Sequence, residues 1–261
     1  MNILDKIIAD KRKEVELKKS IIPASQLENS ILFQRETISL TEKLKNSSTG
    51  IIAEFKRRSP SKSQINQSAN VSDVAKGYEK AGVCGMSVLT DIKYFGGSLD
   101  DLLLARASCE LPLLRKEFIV DEFQILEAKA FGADVILLIA AVLSRIEIEK
   151  LSKSAQNMGL GVLLEVHNLE ELEKSMMPSL DLIGVNNRNL KTFEVSLGNS
   201  KNLAPHIPDE FLKISESGIS DPDSIKELQS FGYQGFLIGE NFMKTKNAGK
   251  SAFEFIKNLN R

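Results

Sequence analysis

After residue 50 the chain alternates short apolar runs with amphipathic segments eight times, and this alternation limits the possible folds more than any other feature. The apolar runs are rich in Val, Ile and Leu, as strands are, whereas the segments between them repeat apolar residues every three or four positions, as helices do. We predict strands at 51–55, 85–89, 112–116, 134–139, 161–166, 181–185, 212–216 and 235–239. The predicted helices are 72–81, 99–108, 121–131, 144–157, 168–175, 197–204, 221–231 and 248–259.

The order of strand then helix predicts parallel strand pairing, because parallel neighbours need a crossover segment between them. Strands covered on both faces also explain the nearly continuous apolar run DVILLIAAV at 134–142. A doubly wound open sheet is the alternative, but the turn after the first strand reads KRRSPSKSQ and lacks the glycines of its usual phosphate-binding turn. The pattern therefore favours the α/β class and a (β/α)8 TIM barrel.

The first 48 residues contain no strand-like run, so we interpret them as a helical extension in front of the barrel. One amphipathic helix is predicted over residues 2–19 and a second over 30–45, with Pro23 between them. The chain then divides into an extension at 1–48 and a barrel at 49–261, within a single domain. The extension would brace the fold or cover a binding site.

Five of the predicted strands end in charged or amide side chains. They are IIAEFK (51–56), PLLRKEF (112–118), GVLLEV (161–166), DLIGVNNR (181–188) and LKISESG (212–218). A charge at the end of an apolar strand loses hydration on folding, so it needs a partner or a ligand. Because the carboxyl ends of all barrel strands meet at the face where barrel enzymes have their active sites, these side chains predict one shared polar site.

Composition excludes several classes of function. Lys and Arg total 34 against 35 Asp and Glu, so no global field attracts nucleic acid or an anionic membrane. The sequence shows neither a signal peptide nor an apolar stretch long enough to span a bilayer. Cys84 and Cys109 lack metal-ligand spacing, and two histidines do not complete a zinc set. We expect a cytoplasmic protein without a metal, an organic cofactor, or a nucleic-acid or membrane partner.

The chain resembles the indole-3-glycerol phosphate synthase family along nearly its whole length. The matching segments are IIAEFKRRSPSKSQI (51–65), SVLTDIKYFGGSLDDL (87–102), LLRKEFIVDEFQILEAKAFGAD (113–134), LLEVHNLEEL (163–172), IGVNNRNLKTFEV (183–195), ISESGI (214–219) and FLIGENFM (236–243). The chain departs from the family pattern at Ser63, where glycine is expected, and at Asn189, where aspartate is usual. Both departures concern loop geometry more than chemistry.

The resemblance implies a lyase of tryptophan biosynthesis, a decarboxylase that works by general acid-base catalysis without a cofactor. Its substrate would be 1-(2-carboxyphenylamino)-1-deoxy-D-ribulose 5-phosphate, and its products indole-3-glycerol phosphate, carbon dioxide and water. In this family's pattern Lys116 is the general acid and Glu165 the general base. We expect desolvation to lower the pKa of Lys116 and an apolar surrounding to raise that of Glu165. Glu54 would orient a lysine, and Lys56 would meet the substrate carboxylate or act as a second acid.

Three further polar residues carry roles implied by the same resemblance. Asn186 has an orienting role, Glu216 positions a catalytic lysine, and Ser217 completes the matching motif. Arg188 offers a guanidinium for the anthranilate carboxylate. Asn186 and Glu216 could instead belong to a structural ring of polar side chains that closes the top of the barrel.

The substrate phosphate is expected at the loops after the seventh and eighth strands, where barrels usually bind phosphate. Gly218 and Gly239 would let backbone N–H groups approach the phosphate oxygens, with Ser59 as a further donor. Glu240 must point away from the phosphate, because a carboxylate would repel it.

The aromatic part of the substrate needs an apolar enclosure. Phe95 and Phe118 follow the second and third strands and could sandwich the anthranilate ring, while Leu89 could form a wall or belong to the core. His167 and His206 show no partner in the sequence and are assigned no role.

Two alternatives stay open from the sequence. Phosphoribosylanthranilate isomerase is another phosphate-binding barrel, but it would need a Cys and Asp pair at strand ends, and Cys84 lies before its strand. An inactive barrel that binds a partner is disfavoured by the intact acid, base and phosphate positions. We expect a monomer that acts on a small phosphorylated molecule and could associate with other tryptophan-pathway enzymes.

Overall fold

The computed structural model describes residues 3–190 and 192–260, and eight parallel strands form a closed barrel in the order of the sequence. The strands are β1 (Ile51–Phe55), β2 (Gly85–Leu89), β3 (Leu113–Lys116), β4 (Val135–Ile139), β5 (Gly161–Val166), β6 (Leu182–Asn186), β7 (Leu212–Glu216) and β8 (Tyr233–Ile238). β8 pairs with β1, which closes the barrel. The predicted TIM barrel is confirmed, and the predicted strand ends lie within about two residues of the observed ones.

A helix follows each strand, and further short helices lie between. The helices are α1 (Ile3–Ile21), α2 (Ala24–Glu28), α3 (Leu40–Lys45), α4 (Val71–Ala81), α5 (Ile92–Phe95), α6 (Leu99–Arg106), α7 (Glu122–Ala130), α8 (Arg145–Asn157), α9 (Leu169–Ser175), α10 (Gly198–Leu203), α11 (Pro222–Ser230), α12 (Glu240–Met243) and α13 (Ala248–Leu259). A 3-10 turn at Ala204–His206 continues α10. Within the described residues, no helix is both long and apolar enough to cross a membrane.

Local sequence signals start many of the barrel helices. Asp121 and Ser144 cap α7 and α8 in reciprocal capping boxes, and Asn70 and Ser98 cap α4 and α6 through single side-chain oxygens. These caps satisfy backbone N–H groups that have no partner inside the helix. Two four-residue helices, α5 and α12, were not predicted, because so short a segment carries no readable periodicity.

The prediction for the extension was right for the first helix and wrong for the second. α1 covers the predicted range 2–19 except Asn2, which lies outside the described residues. Of the predicted helix at 30–45, only the final six residues are helical, as α3. The preceding residues bond to the barrel instead: Thr37 Oγ1 donates to the carbonyl of Gly159 (2.5 Å). Such tertiary hydrogen bonds take the place of helical ones.

The core has two layers. Leucine and isoleucine side chains fill the barrel interior, among them Ile52, Leu114, Leu163 and Ile214. A larger apolar cluster lies between the sheet and the helices around it. Because side chains alternate along a strand, the residue two positions after an interior side chain also points toward the barrel axis. The strand-end charges therefore converge above the barrel interior.

Candidate active site at the mouth of the barrel

The carboxyl ends of the strands and their loops enclose a cavity of about 370 Å³. All the residues that the sequence analysis assigned to a site line this cavity: Glu54, Lys56, Ser59, Leu89, Phe95, Lys116, Phe118, Glu165, Asn186, Arg188, Glu216, Ser217, Gly218, Gly239 and Glu240. They come from six strands, from the loops that follow these strands and from the segment after β8. Barrel closure thus brings together side chains that lie up to about 190 residues apart in the chain.

Lys116 lies at the centre of the charged side chains. Its Nζ is 2.7 Å from Glu165 Oε2 and 2.5 Å from Glu216 Oε2. These residues end β3, β5 and β7, so alternate strands supply one cluster, as in the layered interior of a TIM barrel. Both carboxylates are buried, and their attraction for the ammonium is strong because little water screens it.

Two predicted pKa shifts were wrong in direction. Burial lowers the pKa of Lys116, but the charges of Glu165 and Glu216 outweigh burial and raise it above its ordinary value. Burial acts to raise the pKa of Glu165, yet Lys116 and His167 lower it to about 2. The sequence shows the apolar neighbours of each group but not the opposite charges that other strands bring to it. Near neutral pH both side chains are charged.

Glu216 responds to the same surroundings differently. Burial is the largest influence and raises its pKa to about 7; the charge of Glu165 adds to this effect, while Lys116 opposes it. The Oε1 atom of Glu216 is buried and has no hydrogen-bond partner among the described residues. Since two carboxylates share one ammonium, the cluster holds or releases one proton near neutral pH.

A second ion pair lies on β1 and the residue after it. Lys56 Nζ is 2.6 Å from Glu54 Oε1, and Glu54 is almost completely buried. Gly239, at the end of β8, lies against this carboxylate, and a Cβ at that position would collide with the Glu54 side chain. Glycine is therefore required for β8 to pass close to Glu54.

Asn186 connects the charged cluster to the rim of the cavity. Its Nδ2 donates to Glu165 Oε1 (3.1 Å), and its Oδ1 accepts the backbone N–H of Arg188 (2.9 Å). The guanidinium of Arg188 donates to the carbonyl of Phe193 (3.2 Å) and remains half-buried beside the cavity. Asn186 thus orients one carboxylate while Arg188 presents a cation at the mouth.

The part of the cavity after β7 has an uncommon backbone conformation. Ser217 and Gly218 both have positive φ, at 69° and 82°. This is an uncommon conformation for serine, and it turns the chain sharply after β7.

Glu240 Oε1 accepts from Lys62 Nζ (2.7 Å), and Ser59 Oγ lies 3.2 Å from Ser61 Oγ. The carboxylate of Glu240 is therefore occupied by a lysine of the first loop.

An apolar wall completes the cavity. The rings of Phe95 and Phe118 lie with their centroids 5.9 Å apart and their planes at 43°. Ile3, Leu4 and Ile7 of α1 line the cavity as well, although their sequence does not mark them as site residues. Their amphipathic spacing predicts that this face of α1 is buried, but it does not show which surface the face packs against.

His167, for which no role was predicted from the sequence, lies beside Glu165. Its Nε2 lies 3.4 Å from Glu165 Oε1, and its Nδ1 lies 3.2 Å from Glu171 Oε2. Burial lowers the pKa of His167, but the hydrogen bond to Glu171 and the charges of Glu165 and Glu171 raise it. The sequence did contain a signal for these contacts, because one glutamate lies two residues before the histidine and another lies four residues after it.

The two departures from the family pattern and the cysteines lie outside the cavity lining. Ser63 is exposed on the first loop, and Asn189 Oδ1 accepts the N–H of Thr192 (3.2 Å). Cys84 packs with Leu40 and Leu44 at the start of β2, opposite the mouth. It therefore offers no nucleophile or acid to the cavity.

Comparison with known proteins gives one consistent family. Residues 4–255 match the family described as indole-3-glycerol phosphate synthase. A protein of that name from Bacteroides thetaiotaomicron is 47% identical over 256 residues and covers 98% of both chains. Another, from Polaromonas sp. strain JS666, is 42% identical over 252 residues, covering 95% of this chain and 96% of its own.

Solved structures resemble the chain in fold alone. The 3-hexulose-6-phosphate synthase of Salmonella typhimurium superimposes with a TM-score of 0.64 at 12% identity, covering 80% of this chain and 98% of its own. Thiamine phosphate pyrophosphorylase from Pyrococcus furiosus gives 0.61 at 16% identity, covering 85% and 98%. At such identities the likeness says nothing about substrate.

Proposed function

We propose roles for the residues of this cavity from the premise that the chain belongs to the indole-3-glycerol phosphate synthase family. The enzyme is a carboxy-lyase of tryptophan biosynthesis that converts 1-(2-carboxyphenylamino)-1-deoxy-D-ribulose 5-phosphate to indole-3-glycerol phosphate, carbon dioxide and water. An aromatic carbon attacks the ketone while its oxygen takes a proton, and the carboxyl group leaves as carbon dioxide. The hydroxyl then leaves as water, and the ring methylene carbon beside the nitrogen loses a proton, which forms the double bond of the indole while the nitrogen keeps its hydrogen. The sequence of steps needs one acid and one base.

Lys116 is the acid of the ring closure in this proposal. Its contacts with Glu165 and Glu216 support this role, because they hold a protonated ammonium in the middle of the cavity. An ammonium there can donate to the carbonyl oxygen as negative charge develops on it. Lys56, held by Glu54, is a second cation within the same cavity and is available to the substrate carboxylate or to a later proton transfer.

Glu165 is the base of the dehydration. Its lowered pKa keeps it ionised at neutral pH, so it can accept a proton. Asn186 orients its Oε1 atom, and Lys116 holds its Oε2 atom. Glu216 positions Lys116 from the opposite side.

The distribution of polar and apolar groups supports one orientation of the substrate. The phosphate lies at Gly218 and Gly239, within reach of backbone N–H groups, with Ser59 as a further donor and the Glu240 carboxylate held by Lys62. The anthranilate ring lies by Phe95, Phe118 and Leu89, with Arg188 near its carboxylate. This orientation places the reacting ketone between the two ends, near Lys116.

Replacing Lys116 by alanine tests the acid. The chain has no tryptophan, so indole product fluorescence is free of protein tryptophan background. We expect Lys116→Ala to lower kcat by about 100-fold or more. Lys213→Ala is the matched control, because Lys213 is a buried strand lysine between the interior residues Leu212 and Ile214 and so faces away from the barrel axis. Activity of Lys116→Ala within about threefold of the wild type would remove this lysine from the mechanism.

We also propose that the enzyme works as a single domain and a monomer in the cytoplasm. One chain supplies every residue with a proposed role, and both cysteines are buried and unpaired, as suits a reducing compartment. Light scattering of the purified protein tests the monomer, and a stable dimer with a higher specific activity than the monomer would contradict it. Association with other enzymes of tryptophan biosynthesis stays a prediction.

A further inference from the structure

Lys11, in the middle of α1, is buried although the helix lies on the outside of the barrel; only 3% of its side chain is exposed. Its Nζ contacts three carboxylates: Glu14 Oε2 at 2.9 Å, Asp91 Oδ2 at 3.0 Å and Glu117 Oε1 at 3.2 Å. Glu14 belongs to the same helix, but Asp91 follows β2 and Glu117 follows β3. A buried ammonium needs compensating charge, and here two different loops of the barrel mouth supply it.

The first of these loops carries Phe95. Asp91 Oδ1 accepts the backbone N–H groups of Tyr94 (2.6 Å) and Phe95 (3.2 Å) and so caps α5, while Asp91 Oδ2 binds Lys11. One carboxylate therefore connects Lys11 to the backbone of Phe95. A change in the position of Asp91 would therefore reach the backbone that carries this ring.

The second loop carries Phe118. Glu117 Oε1 accepts both Lys11 Nζ and the backbone N–H of Phe118 (2.9 Å), and Glu117 Oε2 accepts Thr90 Oγ1 (2.8 Å). Glu117 directly follows Lys116 and directly precedes Phe118. Lys11 thus holds the carboxylate that orients the backbone at Phe118.

We propose that Lys11 is a positioning residue for the aromatic clamp, which we define as Phe95 and Phe118: one ammonium from the extension sets the distance between the two rings. The inference rests on the proposed role of these rings in binding the anthranilate ring. It extends the role of α1 from covering the cavity to shaping it.

Attachment of α1 alone does not account for this arrangement. Three other basic residues of the helix already contact the barrel: Arg12 with Glu147 (3.1 Å), Lys18 with Glu127 (3.3 Å) and Lys19 with Asp121 (2.9 Å). Those pairs lie on the outer helices α7 and α8 or at their caps. Lys11 differs from them in burial and in contacting both clamp loops.

The inference predicts a particular kinetic pattern. In this inference the clamp holds the ring of the substrate in the ground state and in the transition state alike, so loosening it should weaken binding without slowing the chemical steps. KM and the Kd of the product should rise while kcat stays constant. Inhibition by inorganic phosphate should not change, because the phosphate end is built by the loops after β7 and β8.

Three variants and a control test the positioning role of Lys11. Lys11→Met removes the ammonium, Lys11→Arg restores a cation, and Asp91→Asn keeps the oxygen that caps α5 but loses the oxygen that accepts from Lys11. Lys18→Met is the control, since Lys18 lies on the same helix, contacts Glu14 as Lys11 does, and pairs with a buried carboxylate of α7 rather than with a clamp loop.

Product affinity is measured by titration with indole-3-glycerol phosphate, followed by its fluorescence, at a temperature where circular dichroism shows each variant folded. We expect Lys11→Met and Asp91→Asn to raise KM and the product Kd about three- to tenfold. Their kcat and their inhibition by phosphate should stay within about twofold of the wild type. Lys11→Arg should recover most of the affinity, and Lys18→Met should behave as the wild type.

Unchanged product affinity in folded Lys11→Met and Asp91→Asn would overturn the inference. An equal loss of phosphate affinity would overturn it too, because it would mean general damage to the mouth. If Lys11→Met does not fold, Asp91→Asn, whose cap is intact, decides alone. Phe95→Leu and Phe118→Leu test the clamp separately from Lys11. If neither variant weakens product binding, the proposed clamp is wrong. If both weaken it and Asp91→Asn does not, only the role of Lys11 is wrong.

Discussion

Glu165 and Glu216 are chemically identical, both buried and bound to the same ammonium, yet their pKa values move in opposite directions. The difference comes from their other neighbours. Glu165 also accepts from Asn186 and lies near His167, both of which favour its ionised form. Glu216 has the charge of Glu165 beside it and no donor for Oε1 among the described residues. At the scale of single residues, the partners decide which carboxylate holds a proton.

The raised pKa of Glu216 makes stability depend on pH. Between its ordinary value of 4.5 and about 7, the folded protein holds a proton that the unfolded chain releases. The free energy of unfolding therefore falls as the pH rises through this range. Glu216→Gln cannot release the proton, so we expect its loss of stability between pH 5 and 7 to be smaller by about 1 to 3 kcal/mol. Urea unfolding of both proteins at pH 5, 6 and 7 measures this, and identical slopes against pH would contradict it.

The helices and the turns of this fold depend on different features of the chain. The outer helices start at caps that the sequence shows, and they hold the sheet in place. The turns at the carboxyl ends of the strands depend instead on backbone conformations that few residues adopt. At Ser217 and Gly218, two successive residues have positive φ directly beside the cavity. Strain concentrated in such a turn is typical of functional sites.

Gly218→Ala tests the turn after β7. The φ of this glycine is 82°, and a Cβ there would collide with Val195. We expect a rise in KM of about tenfold or more, because the proposed phosphate-binding N–H groups would move. Gly82→Ala is the matched control: its φ is 80°, no atom lies within 4 Å of the added Cβ, and it ends α4 away from the cavity. That variant should lose about 1 kcal/mol of stability and keep its KM. Steady-state kinetics that show equal changes in both would contradict a role in phosphate binding.

In the whole molecule, the two ends of the barrel contribute differently to binding and to stability. The carboxyl ends of the strands carry the proposed active site, and the amino ends carry interactions that hold the extension to the barrel. Asp134, just before β4, has a completely buried side chain and accepts four hydrogen bonds, from Arg35, Arg106 and the backbone N–H groups of Ile38 and Leu113. It joins the extension, α6 and β3 at one point. The segment that was wrongly predicted as a helix follows its path partly because of this carboxylate.

Asp134→Asn should therefore lower stability without altering catalysis. Replacing the carboxylate leaves the buried guanidinium of Arg106 and the partly exposed guanidinium of Arg35 without this counter-charge, and we expect a loss of about 3 kcal/mol. Asp181→Asn is the control at the same end of the barrel, since burial raises the pKa of Asp181 and its neutral form costs less. Urea unfolding should separate the two variants clearly, while kcat and KM of both, measured where they are folded, should match the wild type. A reduced kcat in folded Asp134→Asn would contradict this separation of the two ends.

Much of the barrel could be predicted because its signals are local. The alternation along a strand and the three- to four-residue spacing along a helix are readable from neighbouring residues, and the order of strand and helix then leaves few topologies. The placement of the site residues followed from the same logic, since each of them lies near the carboxyl end of a strand or in the segment that follows it. The roles of these residues rest on the resemblance and stay predictions.

The sequence by itself determined the closed parallel barrel, the family and the end of the barrel at which the functional groups lie. The tertiary structure alone decided which charges became neighbours, and with them the directions of the pKa shifts, the place of His167 and the contacts of Lys11. Lys116 and Glu216 are 100 residues apart in the chain and 2.5 Å apart in space. Such a contact is set by barrel closure and side-chain direction together, and no local pattern records which charge will stand opposite another.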